Sequence, residues 1–304
     1  MQWRNGMVVL GVALAMATPA EAKLKVVTTI TDLAAVVKEV GGPEVEVDSI
    51  ARGTQDPHFI EAKPSYMVKA SRADLIVAMG LELEQGWLPS ILRGARNPKV
   101  MPGAPGYVEA GAWIEPLEVP TGKLTRADGD VHGGGNPHFN LDPERMATVA
   151  IKLGEKLGEL SPTQRADFKA RAEKMRDRLL AKTKEWQARV VRSGVKQVVT
   201  YHKTLTYFLA RFGIANPEIL EPKPGIPPTS AHIIHVIEVI RARKVPLVLV
   251  ENYFDDSVIK KIRSAIPEIR SRTVPVLVEG AEGIATLDDL YETLIKAVES
   301  GGGQ

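Results

Sequence analysis

Short β-rich runs alternate with helix-forming stretches along most of this chain, and between residues 142 and 192 the alternation stops. The runs fall at 24–30, 45–50, 74–79, 197–201, 246–250 and 273–278. Strands that alternate with helices imply βα units and mainly parallel sheets. One helix candidate opens at Thr31 or Asp32 as N-cap and ends before Gly41-Gly42, another follows Pro64-Ser65, and a third spans 203–212 before Gly213. The strandless interval has Pro143 as a helix opener, then Ser161-Pro162 as an N-cap with proline at the first helical position, then a stretch rich in Ala, Lys, Arg, Glu and Leu. A helix of about 30 residues is about 45 Å long. Such a rod can join two α/β lobes, and 304 residues are enough for two. The expected organisation is a first lobe over 23–160, a bridging helix over 161–193 and a second lobe over 194–304. Residues 121–136, polar and rich in glycine (Gly122, Gly129, Gly133, Gly134, Gly135), read as a mobile loop in the first lobe.

Residues 1–22 read as a signal peptide. Arg4 supplies the positive end, the apolar run 7–17 is too short to span a bilayer, and Ala20-x-Ala22 offers small residues for cleavage before Lys23. With no cysteine in the chain, disulfides, thiolate catalysis, thiolate metal sites and a lipid-attachment cysteine all drop out. An exported protein of this kind fits a bacterial periplasm, and any metal it holds must use histidine, carboxylate or water. The 39 basic and 37 acidic residues leave +2 without a long block of like charge, which argues against nucleic acid as a partner.

Three of the six histidines share a setting. His58 follows the run 45–50 within Gly53-Thr-Gln-Asp-Pro-His58, His138 lies in Gly135-Asn-Pro-His138, and His202 directly follows the run 197–201. Loops and strand ends are where open α/β sheets place ligands. Proline before two of them restricts the turn and can aim an imidazole before a metal arrives. Neutral imidazoles suit zinc, and three nitrogens leave a fourth tetrahedral position for carboxylate or water. Taken singly, each histidine fits an ordinary hydrogen-bonded role, so the repetition is what favours a shared site.

The residues around them carry a resemblance. Gly53-x-x-Asp56-Pro57-His58 with Glu61 and Pro64-Ser65, Met79-Gly80-Leu81-x-Leu83-Glu84-x-x-Trp87, Asn136-Pro137-His138-x-x-Leu141-Asp142-Pro143, Tyr201-His202-x-x-x-x-Tyr207-Phe208 and Glu221-Pro222-x-Pro224-Gly225 occur in this order. The pattern resembles the zinc and manganese solute-binding proteins of bacterial ABC transporters, the cluster of ZnuA and TroA types, over nearly the whole of 25–297. The resemblance implies two α/β lobes bridged by one long helix, with metal in the cleft between them. It implies His58, His138 and His202 as metal ligands. Histidine rather than glutamate at the third position tilts the cargo toward zinc, with manganese as the alternative.

At the fourth position, where many relatives carry an acidic residue, this chain reads Gly283-Ile-Ala285-Thr286-Leu-Asp288-Asp289. Glu251 at the end of the run 246–250, Glu282 and water all remain candidates there, and Glu251 serves equally well as a partner orienting a histidine. Asp288 and Asp289 fit the start of the last helix. His132, where zinc-type relatives carry a longer histidine-rich loop, reads as an auxiliary loop ligand or as a solvated loop residue. His232 and His235, three apart on a helix, fit ordinary packing and surface roles.

The function expected is capture of Zn2+ as cargo in the periplasm and delivery to an inner-membrane ABC permease, by a monomer without enzymatic turnover. A periplasmic metallochaperone is a further candidate partner. A secreted zinc hydrolase is the competing class, since three histidines and an open position also describe a catalytic zinc. It lacks an HExxH motif and has only Glu251 as a candidate general base.

Overall fold

The computed structural model describes residues 22–122, 129, 131–223 and 225–302. The segment read as a signal peptide lies outside them, apart from Ala22. Two parallel sheets organise the rest. The first contains β1 (Leu24–Thr28), β2 (Val45–Ser49), β3 (Leu75–Ala78) and β4 (Tyr107–Glu109) in the order β2-β1-β3-β4. Its register sets Val26 beside Val47 on one side and Leu75 on the other. The second contains β5 (Val199–Thr200), β6 (Leu247–Glu251) and β7 (Arg270–Val274), in that order. Helices α1 (Thr31–Gly41), α2 (Pro64–Ser71) and α3 (Leu88–Ala95) connect the first sheet. They are followed by α4 (Pro143–Leu160), α5 (Arg165–Ser193), α6 (Thr206–Phe212), α7 (Ser230–Arg243), α8 (Ser257–Ala265) and α9 (Leu287–Glu299).

Helix α5 is the predicted rod, 29 residues and so about 44 Å long. Its buried residues Phe168, Ala172, Met175, Leu179, Thr183, Trp186 and Val190 recur every three or four positions, the spacing of a single helix face. Arginines on its sides fasten it to both lobes. Arg171 bonds the carbonyls of Val40 and Gly41 and pairs with Glu44, Arg178 reaches Glu39 on α1 and Asp288 on α9, and Arg189 pairs with Glu292 and Glu299 on α9. Half-exposed pairs contribute little stability individually, but their planar, two-pronged geometry fixes orientation.

One apolar core runs from the first sheet through α4 and α5 to the inner face of the second sheet, while another fills the outer face of the second lobe. Leu247 and Leu249 belong to the first core and Val248 and Val250 to the second, the two-residue alternation of a strand buried on both faces. Because the core is continuous between lobes, wide rotation of one lobe against the other would expose apolar surface at about 25 cal/mol per Å2.

The run 273–278 is not a strand throughout. Strand β7 ends at Val274, and the apolar residues beyond it cross to the first lobe. There Val278 donates its N–H to Asp32 Oδ2 and accepts from Thr31 Oγ1, while the Val276 carbonyl accepts from Asn140. Side chains of the other lobe replace the strand ladder, which an apolar run alone cannot reveal. Thr31 and Asp32 accordingly lie inside α1, after Ile30 as N-cap. Strand β4 escaped the sequence pattern because three half-exposed edge residues are too few to show alternation. Ser161 precedes a 3-10 turn, Pro162–Gln164, that leads into α5. Thr286 caps α9 through a reciprocal pair of bonds with Asp289, so the acidic residues there complete a helix start.

Candidate metal site

The loop after β2 reaches His58 through a place where the lobes touch. A Cβ on Gly53 would stand 2.2 Å from the Val278 carbonyl oxygen, so only glycine lets the two backbones meet here. Beyond it, Asp56 folds Asp56-Pro57-His58 into a tight turn: its Oδ1 accepts the His58 backbone N–H at 3.0 Å and faces the ring Nδ1 at 2.7 Å. Trp87 Nε1 donates to the Pro57 carbonyl and holds the turn from below. The turn carrying Trp87 is anchored in turn by Glu84, which accepts from Thr29 Oγ1 and the backbone N–H groups of Met79 and Gly80. Burial pushes the Glu84 carboxyl up to about 7, with those bonds pulling the other way. Glu82 accepts the Gly133 N–H. Both carboxylates that stand two apart in sequence therefore brace loops.

His138 lies on the turn before α4, almost wholly buried. Its backbone N–H donates to Asn136 Oδ1, repeating the Asx-Pro-His plan of the first turn. Asp142 then caps α4 by accepting the Glu144 N–H and pairs with Arg211 of α6 through two bonds of 2.9 Å. His202 follows β5, and its Nδ1 faces Glu221 Oε2 at 2.6 Å. Glu221 Oε2 also accepts the N–H of Gly225, whose φ of +75° suits glycine. Pro224 of that motif lies outside the described residues.

These three turns converge. One nitrogen each from His58, His138 and His202 lies within 4.8 Å of the others, and among the described residues no other group of three such side chains does so. The ring centroids are 5.0 Å apart for His58 and His138, 5.6 Å for His58 and His202, and 5.5 Å for His138 and His202. A tetrahedral shell with bonds of about 2.0–2.1 Å spaces its ligands at about 3.4 Å, so closing the cluster on an ion takes at most about 1.4 Å.

The tautomers follow from the partners. A carboxylate on Nδ1 makes that nitrogen the N–H donor and leaves Nε2 as the lone pair, the carboxylate–histidine–metal arrangement. Asp56 does this for His58 and Glu221 for His202. Burial works against the Asp56 charge, but the His58 bonds outweigh it and hold the carboxyl below its ordinary range. The Nε2 atoms of His58 and His138 are buried without a hydrogen-bond partner. A buried orphan nitrogen costs about 1–3 kcal/mol, which coordination removes. Burial, with the neighbouring His58 and His202 adding to it, pushes the His138 pKa well below 6.5 and keeps the ring in its neutral, ligating form. The sequence pattern singled out the three histidines but not Asp56 and Glu221 as their partners. Asp56 was legible two residues before His58, whereas Glu221 is 19 residues from His202 and only the fold joins them.

The auxiliary candidates separate. His132 stacks on His58 at 5.3 Å, with both ring nitrogens buried and unpartnered, so it is not a solvated loop residue. Burial pushes its pKa down to about 4. It lines both a cavity of about 40 Å3 bounded by His138, His202, Glu118 and Lys203 and a neighbouring cleft of about 360 Å3 lined by His58, Phe59, Glu82 and Trp87. Gly133 and Asn136 near it are held by Glu82 and the Leu117 carbonyl. Residues 123–128 and 130 of the loop read as mobile lie outside the described residues. Glu251 is fully buried at the end of β6, and neither carboxylate oxygen has a hydrogen-bond partner at bonding geometry. Burial pushes it up to about 8, with Thr204 and the His202 backbone nearby offsetting this in part. Glu282 is exposed on the turn before α9. His232 bonds the Ile219 carbonyl and His235 faces Glu218, both in the second lobe.

Comparison with known proteins identifies the family and the fold. A family model described as ZnuA, zinc-uptake complex component A, periplasmic, matches residues 26–299. The manganese ABC transporter substrate-binding lipoprotein PsaA of Streptococcus pneumoniae is 27% identical over 283 residues, covering 90% of this chain and 86% of that protein. The iron-binding protein YfeA of Yersinia pestis is 27% identical over 257 residues, 82% of this chain and 77% of its own. Among solved structures, one described as the crystal structure of ZnuA matches with a TM-score of 0.79 at 19% identity, over 92% of this chain and all of that one. The chain thus belongs to the ZnuA family of zinc-uptake components.

Proposed function

We propose that this protein captures Zn2+ between its lobes with the Nε2 atoms of His58, His138 and His202 and hands it to a membrane ABC permease. It is a metal-binding transport component rather than an enzyme, as its family membership states. The observation that carries the residue assignment is the convergence of three imidazole nitrogens, two of them buried without another partner. Zinc is favoured over manganese because three neutral imidazoles form a softer donor set than the oxygen-rich shells manganese prefers. Relatives named for manganese and for iron make manganese the alternative cargo.

Water is the preferred fourth ligand in this reading. Of Ala285 and Thr286, which stand where many relatives carry an acidic residue, alanine offers no side-chain donor atom and threonine is engaged as a helix cap, and Glu251 lies outside the mutually close cluster. Burial keeps Glu251 largely protonated at neutral pH, which also suits it poorly to the general base a hydrolase needs. His132, which lines both cavities and stacks on His58, passes incoming metal to His58. The periplasm is the proposed location, supported by the leader-like residues 1–22 and by the family's description. The lobe limits 23–160 and 194–304, a monomeric state and loading by a metallochaperone belong to the same reading.

Calorimetric titration of metal-stripped protein with zinc and with manganese tests it. One tight zinc site that disappears in His202→Ala and is much weaker for manganese supports the proposal. Equal or tighter manganese binding changes the cargo, and zinc binding unaffected by His202→Ala removes the assignment.

A further inference from the structure

The two Asx-Pro-His turns differ in the first residue, and the difference is one of donors. Asp56 can only accept. Asn136 accepts the His138 N–H on Oδ1 at 2.9 Å and donates from Nδ2 twice, to the Lys203 carbonyl at 3.0 Å and to Glu118 Oε2 at 2.9 Å. Its backbone is engaged as well: the N–H donates to the Leu117 carbonyl, and the carbonyl accepts from Tyr207 Oη at 2.7 Å. The amide orientation is fixed, since the opposite one would set oxygen against a carbonyl and a carboxylate. Lys203 directly follows His202, and its ammonium pairs with Glu118 Oε1 at 3.1 Å.

We propose that Asn136 is a positioning residue that yokes the His138 turn of the first lobe to the His202 turn of the second and thereby sets the spacing of those two metal ligands. The inference rests on the three-histidine reading above. Asn136 is only 6% exposed, so each bond it makes is shielded from water, and losing one leaves a buried group unpaired. No other residue type does the same work. Aspartate keeps the acceptor for His138 but has no donor for the Lys203 carbonyl, and alanine has neither. The sequence difference between Asp56 and Asn136 thus matches what each turn touches: a ring nitrogen of its own histidine in the first, the opposite lobe in the second.

The test is zinc affinity by chelator competition for Asn136→Asp in a Glu118→Gln background, compared with Glu118→Gln alone. The background removes the charge clash that a new carboxylate would create beside Glu118, so the comparison isolates the donor to Lys203. The expected result is affinity about 10–100-fold weaker, the range for partners one step removed from a metal, with an altered cobalt(II) absorption spectrum and a melting temperature of metal-free protein lowered by no more than a few degrees. Asn136→Ala is expected to weaken binding at least as much. If it does not fold, the Glu118→Gln pair decides alone. Equal affinity and an unchanged cobalt spectrum, while His58→Ala abolishes binding, would overturn the yoke and leave the metal reading standing. If His58→Ala binds zinc like the parent, the metal reading itself fails.

Discussion

Asp56-Pro57-His58 and Asn136-Pro137-His138 share a local plan, an Asx side-chain oxygen on the histidine backbone N–H, yet they are held in place by different means. The first is nearly self-contained: Asp56 serves both the backbone and the ring of the same histidine, with Trp87 of its own lobe beneath. The second is held from the opposite lobe, by Lys203 through Asn136, by the Val276 carbonyl through Asn140 and by Arg211 through Asp142, with Asp32 of its own lobe tying Asn140 and the Val278 N–H together. Among the described residues, no carboxylate bonds the His138 ring as Asp56 and Glu221 bond theirs, and its turn is packed against the other lobe. One ligand turn therefore carries its own preorganisation and another borrows it from the interface.

That contrast can be broken by substitutions of decreasing effect. His58→Ala and His138→Ala should be equivalent in a titration with zinc, each weakening binding by more than the ~10–100-fold typical of outer partners. A large inequality would mean that the two turns do not serve one ion. Asp56→Ala, which removes the ring partner and the turn acceptor together, should weaken zinc by roughly 10–100-fold while leaving the melting temperature of metal-free protein nearly unchanged, since the turn is local. Asp32→Ala acts on the other side of the comparison. It strips acceptors from the Val278 N–H and the Asn140 amide, so denaturant unfolding should show a loss of about 1–3 kcal/mol, with zinc affinity falling through the His138 turn alone. An Asp32→Ala protein as stable as the parent would contradict the interface account.

The smallest expected effect concerns Glu251, and its sign follows from the raised carboxyl. A buried carboxyl lifted from 4.5 to about 8 supports the fold fully below 4.5 and progressively loses that contribution as pH rises toward 8. Glu251→Gln should therefore melt higher relative to the parent at pH 9 than at pH 4, by a few degrees if the gain is about 1 kcal/mol. A pH-independent difference would show that Glu251 is not a buried neutral acid.

Much of this arrangement was legible in the sequence because it is written in local signals. Pro143 and the spacing of apolar residues in α5 announce the bridge, and Pro57 and Pro137 announce turns that aim histidines. What was not legible lies in partners distant along the chain. The run after Val274 reads as a strand because it is apolar, and only the presence of Asp32, Thr31 and Asn140 opposite it shows that it is a crossing between lobes. Glu221 reads as part of a proline-rich motif until the fold sets it on His202. The acidic pair Asp288 and Asp289 carried the reverse lesson: a helix-start signal was correct, and Thr286 beside them is a cap.

The central claim is that turns from both lobes place three imidazoles on one ion. X-ray absorption at the zinc edge on protein loaded with one equivalent tests it most directly. The account predicts three imidazole nitrogens and one further light atom at about 2.0–2.1 Å, reduced to two imidazoles in His138→Ala. A parent spectrum with two or fewer imidazoles, or one unchanged by His138→Ala, would contradict it.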